Sequence, residues 1–477
     1  MGQDLVVRLA VAALVCAEVA SATAWQPQAL PRPRYVTAAE AGAVLQRYPS
    51  LPASLRTGTP LVRAGEVNAW IRARDKEIRA RVSRGEEDAL VPWLLFGTSF
   101  TRAPRLTRAF FEEQAQRVNG PGNAEARERA FTVVFEQRLD DLLGTLAGAE
   151  NNARLTWARA TIEQAGVNLR DRPATARYLI QTFARVTQES EALAAALTGR
   201  DPVAAASGER AHVFAARGLA VDTGWTANFA LAEALATPAM RDRFHASPIR
   251  RVAVVGPGLD VIDKDEGVDL YPPQSVQPSA VMDALRRSGL VTLPELEVMT
   301  LDVNPRVNDH LRSAHSSGLP YVLHLAADGR PWTEGAKGYW STFGIGIGDE
   351  ATPRAAAVAA RQIALRSVAV RPEWTNRLTV IDANIVCQRI DFSPHERVDL
   401  LVATNILLYY DEAEQALAVA NMVHLLRPNG VLLTNTALDL RVQPELTAIG
   451  ETLTVFSSRP GDGEVVYAYA RRSPPTP

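Results

Sequence analysis

At Pro248 the periodicity of the chain changes, and that change limits the fold more than any other feature. Downstream, short apolar runs recur at Val252–Val255, Leu296–Val303, Leu378–Ile381, Val398–Ala403 and Gly430–Thr436. Helical stretches lie between several of them, at Ser279–Arg287, Val307–His315 and Glu412–Leu426. Strands alternating with helices predict βαβ units and a mostly parallel α/β sheet. The last run, Glu464–Ala470, follows Gly461-Asp462-Gly463 and reads as an antiparallel closing strand. Upstream, from about 61 to 245, the period is helical: Phe131, Val134, Phe135, Leu139 and Leu142 share one face, as do Leu179, Phe183 and Val186. The expected organisation is an all-α domain over 25–245 followed by an α/β domain over 246–477.

Several classes of function drop out on composition. Two cysteines, Cys16 and Cys387, exclude a disulfide scaffold and a cysteine-based zinc site. The seven histidines show no HxxxH or HExxH spacing, so no metal site is expected. A net charge of −2 gives no global field for nucleic acid or acidic lipid, and no nucleic-acid partner is expected. Residues 1–24 resemble a secretory signal peptide: Arg8, an apolar Leu9–Ala17, and Ala22-Thr23-Ala24 before Trp25. Asp4 and Glu18 cut against that pattern, so two locations stay open, exported if this segment is cleaved and cytoplasmic if not. No later segment reaches 18 uninterrupted apolar residues, and no membrane span is expected after the leader.

The chemistry is concentrated at the ends of the apolar runs. Arg251-Val-Ala-Val-Val-Gly256-Pro257-Gly258 is a buried strand feeding a Gly-x-Gly turn, where the backbone can approach a ligand closely. The second run ends in Asp302, a carboxylate placed to accept from both hydroxyls of a ribose. The third ends in Asp382-Ala383-Asn384, and the fourth in Asn405-Ile-Leu-Leu-Tyr409-Tyr410-Asp411. These four elements, in this order, resemble a class I S-adenosylmethionine-dependent methyltransferase, over about 246–477. The Asn405–Asp411 segment is similar to that of the chemotaxis-receptor methyltransferases, which also carry a helical N-terminal domain.

The resemblance implies a Rossmann-like sheet and S-adenosylmethionine as cofactor. It implies contacts from Gly256, Pro257, Gly258 and Asp260 in the first turn, the glycines flanking the methionine part. It further implies Asp302 and Val303 at the ribose, Asp382 and Ala383 beside the adenine, and Asn405 near the transferred methyl. Asp260 stands where a third glycine is usual, and Asp263, Lys264, Asp265, Glu266 and Asp269 follow in an acidic loop. Carboxylates there would repel a pyrophosphate, which disfavours a nicotinamide oxidoreductase, but they tolerate a cationic methyl donor.

Methyl transfer from a sulfonium needs alignment and desolvation more than a catalytic triad, so no catalytic residue is assigned and the acceptor is not legible. Tyr271, Tyr409 and Tyr410 are candidates to face the sulfonium, and His324 and His395 to act as a base, each against an ordinary packing or surface role. A basic run, Arg72, Arg74, Lys76, Arg79, Arg81 and Arg84, is broken by Asp75, Glu77 and Glu86–Asp88; it reads as a solvated helix face with i,i+4 pairs, with a protein partner for the helical half as the other reading. Gly344-Ile-Gly-Ile-Gly348 reads as a flexible loop. Against the methyltransferase stands a binding or scaffolding protein that is exported and has lost catalysis on the same fold.

Overall fold

Val252, Ala253 and Val254 are shut off from solvent on both faces of a sheet. A strand with no polar face must lie at a sheet's centre under cover on both sides, and this run does. The computed structural model describes residues 31–47, 60–117, 123–197, 218–221, 224–262, 269–291, 295–353, 363–459 and 461–473. The expected leader, and Asp263 to Glu266 of the acidic loop, lie outside them.

The strands are β1 (Arg34–Tyr35), β2 (Arg251–Val255), β3 (Glu297–Asp302), β4 (Tyr321–Ala327), β5 (Gly348–Ala351), β6 (Ala364–Val370), β7 (Leu378–Asp382), β8 (Gln388–Arg389), β9 (Val398–Ala403), β10 (Leu426–Thr434), β11 (Leu446–Val455) and β12 (Gly463–Arg471). Seven of them form the main sheet in the order β11-β12-β10-β9-β2-β3-β7. The five strands from β10 to β7 pair in parallel, and β12 runs antiparallel to both β10 and β11. The closing strand is therefore antiparallel, as its glycine-flanked run implied, and it is inserted one place in from the edge.

Strand order reverses at β2. From there the chain goes to β3 and β7 on one side and to β9 and β10 on the other. Such a reversal opens a crevice beyond the carboxyl ends of the central strands, where ligands bind in open α/β sheets. The registers keep those ends level: Asp302 lies opposite Asp382, and Thr434 opposite Ala403.

The half expected to be all-α contributes one short strand, β1, which pairs with β8. Its main helices are Pro60–Phe96, Asn123–Ala147, Ala153–Gln164 and Arg172–Leu197. The described residues from Pro33 onward belong to one compact unit, and the helices share one apolar core with the sheet. Trp93 is at the centre of the helical part, edge-on to Phe100 at 4.9 Å and to Trp157 at 5.8 Å. The buried Arg138 guanidinium donates to the carbonyls of Leu94, Gly97, Ala103 and Pro104, which closes the carboxyl end of the Pro60–Phe96 helix. Among the described residues, no helix is long and apolar enough to cross a membrane.

Asp269 belongs to this join rather than to an acidic surface. Its carboxylate accepts from the Thr98 and Ser99 amides at 2.8 and 2.9 Å, from the Thr98 hydroxyl at 2.7 Å and from Trp93 Nε1 at 3.1 Å. Burial alone would raise its pKa, but the Arg154 charge and these donors outweigh burial and lower it. A lowered carboxyl contributes stability above the unfolded pKa, near 3.9, that is lost as the pH falls further through the folded value. Asp269→Ala removes the acceptor of the Thr98 amide, the Thr98 hydroxyl and the Ser99 amide, while Trp93 Nε1 keeps Ser99 Oγ, and is predicted to cost about 3 kcal/mol in urea unfolding at pH 7, with a smaller difference from wild type at pH 3.

Candidate functional site

A cavity of about 370 Å³ lies at the carboxyl edge of the sheet, beside the reversal of strand order. Each central strand contributes to it from its tip. Gly256 and Gly258 follow β2, Asp302 and Val303 end β3, Ala383 and Ile385 follow β7, and Thr404, Asn405 and Ile406 follow β9. Both glycines have positive φ, 66° and 68°. A Cβ on Gly256 would stand 2.3 Å from the Ile406 methyl, so the β2 and β9 turns meet only because that position carries no side chain.

Asp302 is 8% exposed and accepts from the Asn304 amide at 2.8 Å. Burial pushes its carboxyl up to about 6, opposed by backbone donors at Asn304, Gly258 and Val303. Ala383 is fixed beside it, its amide donating to the Asp302 carbonyl at 3.1 Å. Asn405 holds a left-handed backbone with φ of 59°. Asn435, just past β10, locks it from two directions: the Asn405 amide donates to Asn435 Oδ1 at 2.9 Å, and Asn435 Nδ2 donates to Asn405 Oδ1 at 2.6 Å.

The Pro60–Phe96 helix roofs this edge; the reading of its basic run as a solvated face holds for Arg72, Lys76 and Arg84, which are exposed, and is corrected for Arg79 and Arg81. The i,i+4 pair Asp75–Arg79 is present at 3.2 Å. Arg79 also reaches Asp382 at 3.2 Å, and the buried Arg81 donates to the Tyr409 carbonyl at 2.7 Å. Asp75 accepts from Asn384 Nδ2 at 2.9 Å, and Glu86 from Arg306 Nε at 3.0 Å. Arginines thus tie the helix to the turns after β3, β7 and β9. The same helix presses on the segment at 218–221, where a Cβ on Gly85 would lie 1.6 Å from the Leu219 carbonyl oxygen. Val82, Leu219, Ala220 and Val221 complete the roof of the cavity.

Of the sequence-derived contacts, Gly256, Gly258, Asp302, Val303, Ala383 and Asn405 line the cavity. Pro257, Asp260 and Asp382 do not. Asp260 sits at the base of a loop closed by pairing with Gln274, and its carboxylate accepts from the Tyr271 hydroxyl at 2.8 Å and from Gln274 at 3.1 Å. Asp382 turns out to Arg79. Tyr409 and Tyr410 face the cavity, whereas Tyr271 serves Asp260. His324 is buried against the Ser367 hydroxyl at 2.7 Å, and neither it nor His395 reaches the cavity. Gly344–Gly348 is a tight turn into β5, its Gly346 amide donating to Asp283 at 3.0 Å.

The sequence reading missed the far wall. Trp225, Asp328, Arg330, Trp332 and Glu464 line it. Trp332 is placed by its bridge to Ser457 and stacks at a tilt on Trp225, centroids 4.8 Å apart. Arg330 pairs with Asp328 at 2.8 Å. Glu464 is the second residue of β12, and it accepts from Asn435 Nδ2 at 2.6 Å. The only sequence signal for it was the glycine turn before the closing strand.

No protein-family model matches the chain, and no curated protein sequence matches it. Solved structures do. The chain is similar to N-methyltransferase NodS from Bradyrhizobium japonicum at 13% identity, over 50% of this chain and 96% of that one, with a TM-score of 0.26. It is similar to the glycopeptide N-methyltransferase MtfA at 11% identity, over 52% and 96%, with a TM-score of 0.27. It is similar to the CurJ carbon methyltransferase at 11% identity, over 91% and 99%, with a TM-score of 0.26. NodS has also been crystallised with S-adenosyl-L-homocysteine, and MtfA with sinefungin. At these TM-scores the likeness carries no argument, and the weight falls on the chain's own strand order and cavity.

The strained asparagine is testable on its own. Asn405→Ala loses both the side-chain bond and the residue type that tolerates a left-handed backbone, and is predicted to cost about 2 kcal/mol in chemical unfolding. Asn405→Gly keeps the backbone freedom and is predicted to cost only about half as much.

Proposed function

We propose that the chain is an S-adenosylmethionine-dependent methyltransferase whose donor lies along the tips of β7, β3, β2 and β9. The observation that carries this is the desolvated Asp302 carboxylate at the tip of the second parallel strand, beside two positive-φ glycines at the strand-order reversal. A buried carboxylate with its backbone donors on one side is completed by a vicinal diol, which donates two hydrogen bonds to it. Among the described residues, the ionisable groups of the lining favour a cationic ligand: Asp302, Asp328 and Glu464 against Arg330, or three negative charges to one positive, a net of −2.

The acidic-loop objection to a dinucleotide is weakened, because Asp260 and Asp269 are both satisfied inside the fold. A firmer objection replaces it. The helix after β2, Gln277–Arg287, begins behind a long loop, and none of residues 275–280 lines the cavity. A pyrophosphate in the cavity would therefore not reach the N-terminus of the helix that follows the glycine turn, which is where a dinucleotide fold receives it.

When bound, S-adenosylmethionine supplies a methyl group on a sulfonium, a leaving group that departs without a proton. The chain's part is to hold and to dry the site. Asp302 fixes the ribose, the glycine turn lets the backbone approach the methionine part, and Ala383 and Ile385 flank the base. The arginine-tied roof excludes water, which strengthens every electrostatic contact inside. Asn405, locked by Asn435, sets the β9 turn at the reacting end.

Calorimetric titration of the full chain tests this. S-adenosylhomocysteine and S-adenosylmethionine are predicted to bind and NAD not to; binding of NAD alone would overturn the proposal. Asp302→Ala is predicted to weaken S-adenosylhomocysteine at least about tenfold, the equivalent of ~1.4 kcal/mol. The ligand's hydroxyls prefer the ionised carboxylate, so affinity is level above about pH 6 and falls below it. Asp302→Asn removes that pH step.

A further inference from the structure

The cavity is longer than the donor's stretch of strand tips. Counting from β3 through β2, β9 and β10 to β12 gives four strand spacings, so Glu464 lies roughly 19 Å from Asp302 at about 4.8 Å per spacing. The β10–β12 end has its own walls. Trp225 and Trp332 make an apolar side, held by Trp225 Nε1 donating to the Ala326 carbonyl at 2.9 Å and Trp332 Nε1 to the Asp328 carbonyl at 3.1 Å. Arg330, the one guanidinium among the described residues of the lining, is neutralised by Asp328.

Glu464 is different. One carboxylate oxygen accepts from Asn435, and among the described residues the other has no hydrogen bond and no ion-pair partner. Asn435 also locks Asn405, so a single asparagine fixes both the reacting turn and this carboxylate.

Resting on the methyl-donor reading, we propose that the β10–β12 end of the cavity is the acceptor subsite, and that it takes an amine borne on an apolar body, received by the second oxygen of Glu464. The tryptophans cover the apolar body, and the carboxylate aligns the nitrogen. A carboxylic acid, phosphate or phenolate acceptor would meet an unpaired like charge at the same place. In the transfer the lone pair of the neutral amine forms the C–N bond while the C–S bond breaks. The sulfur keeps that bonding pair as the thioether of S-adenosylhomocysteine. The proton shed by nitrogen passes to Glu464, whose carboxyl burial raises above its ordinary value, and from there to solvent.

The test is equilibrium binding, read by tryptophan fluorescence and calorimetry on the full chain at pH 7.5. Benzylamine, benzyl alcohol and benzoate are titrated as size-matched probes, with and without saturating S-adenosylhomocysteine. Benzylamine is expected to bind at least tenfold tighter than benzyl alcohol, and benzoate weakest, in both conditions. Glu464→Gln keeps an oxygen for Asn435 and is expected to bring the ratio of benzylamine to benzyl alcohol affinity down to about one. Equal binding of amine and alcohol, a preference for benzoate, or an amine preference that survives Glu464→Gln would each overturn the proposal. If that variant unfolds, Asn435→Ala, which frees the carboxylate from its holder, must weaken benzylamine in the same assay. Absence of S-adenosylhomocysteine binding would sink the donor reading separately, because the amine preference is also measured on the unliganded chain.

Discussion

The constraint on which the structure depends is the double-sided burial of β2. A strand with no polar face can sit only in the middle of a covered sheet, and its neighbours here are β3 on one side and β9 on the other. The chain must therefore depart from β2 in one direction and return later on the opposite side. That reversal leaves a crevice at the carboxyl edge, and the turns after β2 and β9 close its floor where Gly256 meets Ile406. Everything proposed about function stands on this edge.

A crevice alone is wet. The helical half makes it a cavity by laying the Pro60–Phe96 helix across the strand tips, and charge holds the helix there. Arg81 on the Tyr409 carbonyl, Arg79 on Asp382 and Arg306 on Glu86 each join the roof to a different turn of the floor. Partly buried arginine contacts of this kind give orientation more than stability. A roof placed by turns that themselves contact the ligand is mechanically coupled to the site it covers.

Much of the floor was legible in the sequence, and the reason is local. A strand tip is fixed by where an apolar run stops, so Gly256, Gly258, Asp302, Ala383 and Asn405 could be placed from the runs alone. Asp260 and Asp382 lie outside the cavity lining because being next to a tip does not decide which way a side chain turns: Tyr271 and Gln274 claim one, and Arg79 the other. The basic helix misled for a related reason. Its i,i+4 spacing is satisfied, but the partners that decide its place, Tyr409 and Asp382, come from over 300 residues away. The far wall was illegible for the same cause. Trp225, Trp332 and Glu464 come from three separate segments, and only the bridge from Trp332 to Ser457 and the antiparallel return of β12 bring them together.

The central claim is positional: one cavity, floored by strand tips and roofed by the first long helix, holds the methyl donor. Hydrogen–deuterium exchange of the full chain with and without S-adenosylhomocysteine tests it most directly. The account predicts slowed exchange in 256–258, 302–304, 383–385 and 404–410 together with 219–221 of the roof. Protection confined to other segments, or to the floor with none at 219–221, would contradict it.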